Sequence, residues 1–157
     1  MATLLTAFLL VVSPAWAADF TGTWVLDHSA SDSPEELLKA QGMSMIKRKA
    51  VAKLDVTQKV TQEGNVMTFE VVTSKKTKTN TLHVDGEVRT VEGDRGSARV
   101  RHVWEGDDLV STSITDETTI VTRRTLSDGG RTMTQRFTLT PKDGSTISIN
   151  RVFRMRD

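Results

Sequence analysis

Glycine-centred turns recur along this chain at intervals too short for helices. Glu63-Gly64-Asn65, Asp85-Gly86, Glu92-Gly93-Asp94, Glu105-Gly106-Asp107, Asp128-Gly129-Gly130 and Lys142-Asp143-Gly144 punctuate everything after residue 53. Such clusters supply the φ > 0 positions that tight hairpins need. The segments between them are short and rich in Thr and Val: Leu54–Gln62, Val66–Ser74, Thr79–Val84, Val88–Val91, Ala98–Trp104, Leu109–Thr115, Thr119–Leu126, Thr132–Thr140 and Ile147–Met155. Each is a strand by composition and length. With Phe20–Leu26 they make ten strands joined almost throughout by hairpins. A meander of that length must hide its edges, and closure into an antiparallel up-and-down β-barrel does so.

One interruption is helical. Ser31-Asp32-Ser33-Pro34-Glu35-Glu36 has the capping residues, first-turn proline and acidic first turn of a helix start, and Gly42 ends that helix. A second helix spans Ser44 to about Lys53, with Met43, Ile46, Ala50 and Leu54 on one side and Lys49 and Lys53 away from it.

The interior is the informative part. Ile147, Ile149, Arg151, Phe153 and Met155 share a strand face; so do Met133, Gln135, Phe137 and Leu139, and Ile120, Thr122, Arg124 and Leu126. A dry core does not tolerate that many inward polar groups without partners. A partly hydrated cavity around a ligand does.

The charge balance is 21 basic to 20 acidic residues, without the basic excess of a nucleic-acid protein. No cysteine is present, which removes disulfides, thiolate metal sites and cysteine nucleophiles. His28, His83 and His102 show no ligand spacing, so neither a metal nor a cofactor is expected. From Ala2 to Ala18 there is no charged side chain, and an apolar run, Leu4–Val12, leads to Ala15-Trp16-Ala17. Residues 1–17 are therefore expected to be a signal peptide, cut after Ala17 or Ala18, although the start lacks Lys or Arg, and 18–157 the single barrel domain. Export follows if the leader is cleaved, a cytoplasmic address if it is not.

Three segments resemble the intracellular lipid-binding proteins, which include the fatty-acid-binding and cellular retinoid-binding proteins. Phe20-Thr21-Gly22-Thr23-Trp24 resembles that family's opening Phe-x-Gly-x-Trp. Glu36–Gly42 with Lys47–Ala52 resembles its helix-turn-helix lid between the first two strands, and Ser148–Phe153 its closing Arg-x-Tyr segment. The resemblance covers roughly residues 19 to 156 and implies a ten-stranded clam-shaped barrel with a fatty acid or similar ligand inside. It also implies a carboxylate held by late-strand arginines and a tyrosine hydroxyl. Matched position by position, Arg151 falls on the last-strand arginine and Phe153 on the tyrosine, so one hydroxyl donor is missing. Arg124 takes the earlier arginine, with Arg123 or Thr122 in its place under a small register shift. Phe137 and Met133 complete the expected ligand contacts.

Arg151 either anchors ligand or packs across Trp24 to close the barrel. His102 is a satisfied barrel histidine or, less in keeping with its isolation, a catalyst. Lys47, Arg48, Lys49 and Lys53 are a solvated face or a transient contact with anionic membrane. The expected function is non-enzymatic binding and transport by a monomer. The rivals are a lipocalin-like barrel enzyme, a haem-binding barrel and an exported barrel acting as an inhibitor through surface contacts.

Overall fold

A computed structural model describes residues 18–93 and 96–157. The expected leader, residues 1–17, lies outside the described residues. The turn punctuation produces ten strands: β1 (Gly22–Asp27), β2 (Thr57–Glu63), β3 (Val66–Val72), β4 (Thr77–His83), β5 (Arg89–Gly93), β6 (Gly96–Glu105), β7 (Asp108–Ile114), β8 (Thr118–Ser127), β9 (Thr132–Pro141) and β10 (Ile147–Met155). Helices α1 (Glu35–Ala40) and α2 (Met45–Ala52) lie between β1 and β2, as the acidic first turn and Gly42 predict, although Pro34 takes the N-cap position of α1 and neither helix has a side-chain cap.

All ladders are antiparallel, and one sheet runs β4-β3-β2-β1-β10-β9-β8-β7-β6-β5. The first and last strands pair in its middle, Trp24 opposite Met155. Closure by hydrogen bonds is therefore incomplete. The sheet curls into a clam whose two free edges, β4 and β5, have no ladder between them. These edges are managed by composition: Thr77 to Thr81 of β4 is polar and exposed throughout, with Lys78 in it.

Inward residues fall into layers. A floor cluster contains Phe20, Trp24, Met67, Leu109, Met133 and Phe153. Trp24 donates through Nε1 to the Phe20 carbonyl at 2.9 Å, and Phe20 stacks on Trp104 with ring centroids 6.0 Å apart. Gly22, at φ 149°, leaves room for this packing: a Cβ there would lie 3.1 Å from Met155 Cε. A second cluster of Leu37, Leu139 and Ile149, with Ile120, Phe137 and Ile147 against it, lies under the helices. Leu37 is the residue through which α1 docks. Helix α2 buries no residue, and Ile46 and Ala50 are exposed. Its apolar stripe thus faces outward in part, while Met43, Val51 and Leu54 face the interior.

A belt across the barrel interior

Between the two apolar clusters, β8 places two polar side chains inward, and β9 and β10 one each. On β8 the order is Leu126, Arg124, Thr122, Ile120; on β9 it is Met133, Gln135, Phe137, Leu139; on β10 it is Phe153, Arg151, Ile149, Ile147. The registers align these positions, because Gln135 pairs with Arg124 on one side and with Arg151 on the other. The two arginine backbones are thus two strand spacings apart, roughly 10 Å. Gln58 of β2 reaches the belt from across the curl. Gln135 Nε2 donates to Gln58 Oε1 at 2.9 Å, and Gln58 Nε2 returns a longer bond at 3.4 Å.

Two chambers flank this belt and share Gln58, Gln135 and Phe137 as walls. The outer one, of about 510 Å³, lies under the helices among Leu37, Leu38, Val51, Leu54 and Ile149, with Arg151 and Phe153 at its inner end. The inner one, of about 680 Å³, lies behind the β4/β5 seam and is lined by Phe69, Val100, His102, Ser111 and Arg124. The outer chamber is mostly apolar, with Arg151, Lys75 and Lys76 on its wall; the inner one is more polar and carries Arg124, Arg89, Lys78 and Glu92.

Arg124 resolves the register on β8. Its guanidinium stands 4.8 Å from the Phe69 ring centroid, a cation–π contact, and Nη1 donates to Ser111 Oγ at 3.4 Å. Nε is buried and has no hydrogen-bond partner. No carboxylate pairs with Arg124 among the described residues. Burial alone pulls its pKa down to about 10, so it remains a cation at neutral pH. The neighbouring Arg123 points outward to Asp108 at 2.8 Å and to Glu105. Thr122 is buried on the Arg124 face but offers no charge.

Arg151 donates from Nη1 to the Asp32 carbonyl at 2.8 Å, which ties β10 to the segment entering α1. Burial lowers its pKa, with Asp32 opposing the shift. Across the barrel junction it is Met155 that stands opposite Trp24 and packs with the floor cluster. Phe153 is buried in that cluster and also borders the outer chamber; Phe137 borders both chambers. Met133 sits in the floor cluster, away from the chamber walls, its Sδ 3.8 Å from Gln135 Nε2. Sequence reasoning passed over Gln58, although the alternation Val56-Gln58-Val60 already faced it inward. His102 shares a hydrogen bond with Ser111, Nδ1 to Oγ 2.8 Å. Among the described residues no three His, Asp or Glu side chains converge to hold a metal ion.

Solved structures share this architecture. The REP1-NXSQ fatty acid transporter is 20% identical over 90% of this chain and 98% of its own, with a TM-score of 0.72. A fatty acid-binding protein from Drosophila melanogaster brain tissue is 26% identical over 87% of this chain and 99% of its own, at 0.66. Human cRBP IV is 18% identical over 88% and 99%, at 0.73. No family model matches the sequence, and no curated protein does. The fold is that of the intracellular lipid-binding proteins.

Proposed function

We propose that the protein is a non-enzymatic carrier that holds a fatty acid or a similar amphiphile with an anionic head group inside the barrel. The observation that carries this reading is Arg124: an interior guanidinium without a carboxylate among the described residues, its Nε unpartnered, beside a cavity that shares the walls Gln58, Gln135 and Phe137 with a mostly apolar chamber. A buried charge without a partner is costly, and an anionic ligand supplies the missing one. The alkyl tail then occupies the outer chamber among Leu37, Leu38, Val51 and Ile149. Arg151, whose guanidinium keeps donors beyond the one given to Asp32, contributes at the junction, with Phe153 and Phe137 against the chain. The names of the structural neighbours, a fatty acid transporter and a fatty acid-binding protein, support the same class.

Delipidated protein titrated with a fluorescent long-chain fatty acid should saturate at one or two ligands per chain at micromolar concentration. Absence of saturable binding would overturn the reading, and a Soret band in the purified protein would replace it with the haem-binding alternative.

The address belongs to the same proposal. Cleavage of the leader after Ala17 exports the barrel as a monomer. That position is supported by Ala18, whose carbonyl accepts from Gln62 Nε2 at 3.1 Å; a cut one residue later would remove this anchor of the first strand. Transfer of the ligand proceeds by transient contact of α2 with anionic membrane, supported by the exposed Met45 and Ile46 beside Lys47 and Lys49.

A further inference from the structure

The inner chamber holds a histidine to which head-group binding by arginine gives no role. His102 on β6 and Ser111 on β7 are register partners, and Ser111 Oγ lies 2.8 Å from His102 Nδ1 and 3.4 Å from Arg124 Nη1. A hydroxyl has one proton and two lone pairs. With Arg124 using one lone pair, Ser111 can donate to a neutral Nδ1 or accept from a protonated one. The contact therefore survives a change of protonation. His102 Nε2 has no protein partner among the described residues, and its ring borders the same void as the Arg124 side chain with its unpartnered Nε.

The charges around this imidazole come from four directions. Arg124 on β8, Arg89 on β5 and His83 on β4 oppose its protonation, while Asp85 in the β4–β5 connection favours it. Asp85 is already engaged by both terminal nitrogens of Arg89, at 2.8 and 2.6 Å. Burial is the largest influence and holds the imidazole below its ordinary value, so it is neutral at pH 7 in the empty barrel. Glu92 on β5 and Lys78 on β4 also line the chamber, and Glu92 accepts from the Ser97 hydroxyl. No carboxylate is bonded to Arg124 or to His102 Nε2 among the described residues.

We propose that His102 takes up a proton when an anionic head group settles beside Arg124, becoming a further cation of the head-group site. This rests on the carrier reading and adds a proton to each binding event. A complex that binds more protons than the free protein forms more tightly as pH falls. The tightening falls between the imidazole's value in the complex and its depressed value in the empty barrel. A ligand with an uncharged head should show none of it.

The test uses decyl sulfonate, whose head stays ionised across the range, with the full chain and His102→Gln titrated calorimetrically from pH 8 to pH 5.5. Wild type should bind roughly tenfold more tightly at the acidic end, corresponding to a one-unit rise of the imidazole. His102→Gln should bind with a flat profile. NMR titration of the wild-type histidine ring protons should show that rise directly, which decides the matter even if the variant folds poorly. Saturable but pH-independent binding by wild type, or an unchanged profile in His102→Gln, overturns the proposal and leaves the carrier reading standing. No saturable binding at any pH overturns both.

Discussion

Gln58 and Gln135, 77 positions apart, pair amide to amide across the interior and tie β2 to β9, strands that share no ladder. Both are buried, and each amide answers the other's donor and acceptor. Removing one leaves the other with polar atoms in a site that water enters only through the chambers. Gln58→Leu should cost about 1–3 kcal/mol. The double variant with Gln135→Leu should cost less than the sum of the singles, because both polar groups leave together. Urea midpoints of the four proteins give the coupling, and strict additivity would contradict it.

Arg124 predicts a separation of stability from binding. It carries an uncompensated charge in the empty barrel, so Arg124→Met, similar in length and apolar, should leave the melting temperature of delipidated protein unchanged or raise it. The same change should weaken binding of a long-chain carboxylate by roughly tenfold or more, about 1.4 kcal/mol. Affinity for the matching alcohol should move little. A fall in stability together with unchanged carboxylate affinity would place Arg124 in the framework instead of the site.

The contrast between Arg123 and Arg124 shows what the sequence could and could not convey. Turns were legible because their cause is local: Gly64, Gly86 and Gly106 need positive φ, with values of 59°, 78° and 62°. The helical pair was legible for the same reason. The two arginines are adjacent on a strand with β-formers on both faces; the face of Ile120 and Leu126 pointed to Arg124, but alternation alone left a small register shift open. Their sorting depends on Glu105 and Asp108, on the β6–β7 hairpin, and on Gln135, in the next strand. Alternation faces Gln58 and Gln135 inward, but their pairing had no local signal, because the curl that brings them together belongs to the whole sheet. Ile46 went the other way. Its period suggested a buried face, but α1 takes the docking contact through Leu37 and leaves α2 outside.

Asp27 at the end of β1 carries a pH dependence of stability. The Ser29 hydroxyl, then Arg154, then the Ala30 amide hold its carboxyl down at about 2. A carboxyl whose pKa is lower in the folded than in the unfolded chain stabilises the fold above the ordinary value near 4, and loses that contribution as pH falls towards 2. Asp27→Asn should therefore be less stable than wild type at pH 6, and the gap should narrow between pH 4 and pH 2. Chemical denaturation at several acidic pH values checks this; a gap independent of pH would show that the charge contributes nothing.

The outer face of α2 predicts a kinetic effect without an equilibrium one. Met45 and Ile46 are exposed at 57% and 80%, and Lys47 and Lys49 flank them, while the chamber walls beneath are built from Met43, Val51 and Leu54. Ligand affinity depends on the second group of residues; contact with a membrane depends on the first. Ile46→Ser combined with Lys47→Glu and Lys49→Glu should therefore leave equilibrium binding of a fluorescent fatty acid within about twofold. It should also slow transfer to vesicles containing anionic lipid, since each basic residue near such a surface contributes about 1 kcal/mol. Wild-type transfer should accelerate with vesicle concentration and weaken with added salt, and the triple variant should lose both dependences. A wild-type rate independent of vesicle concentration would mean that ligand leaves through water and that α2 has no part in its delivery.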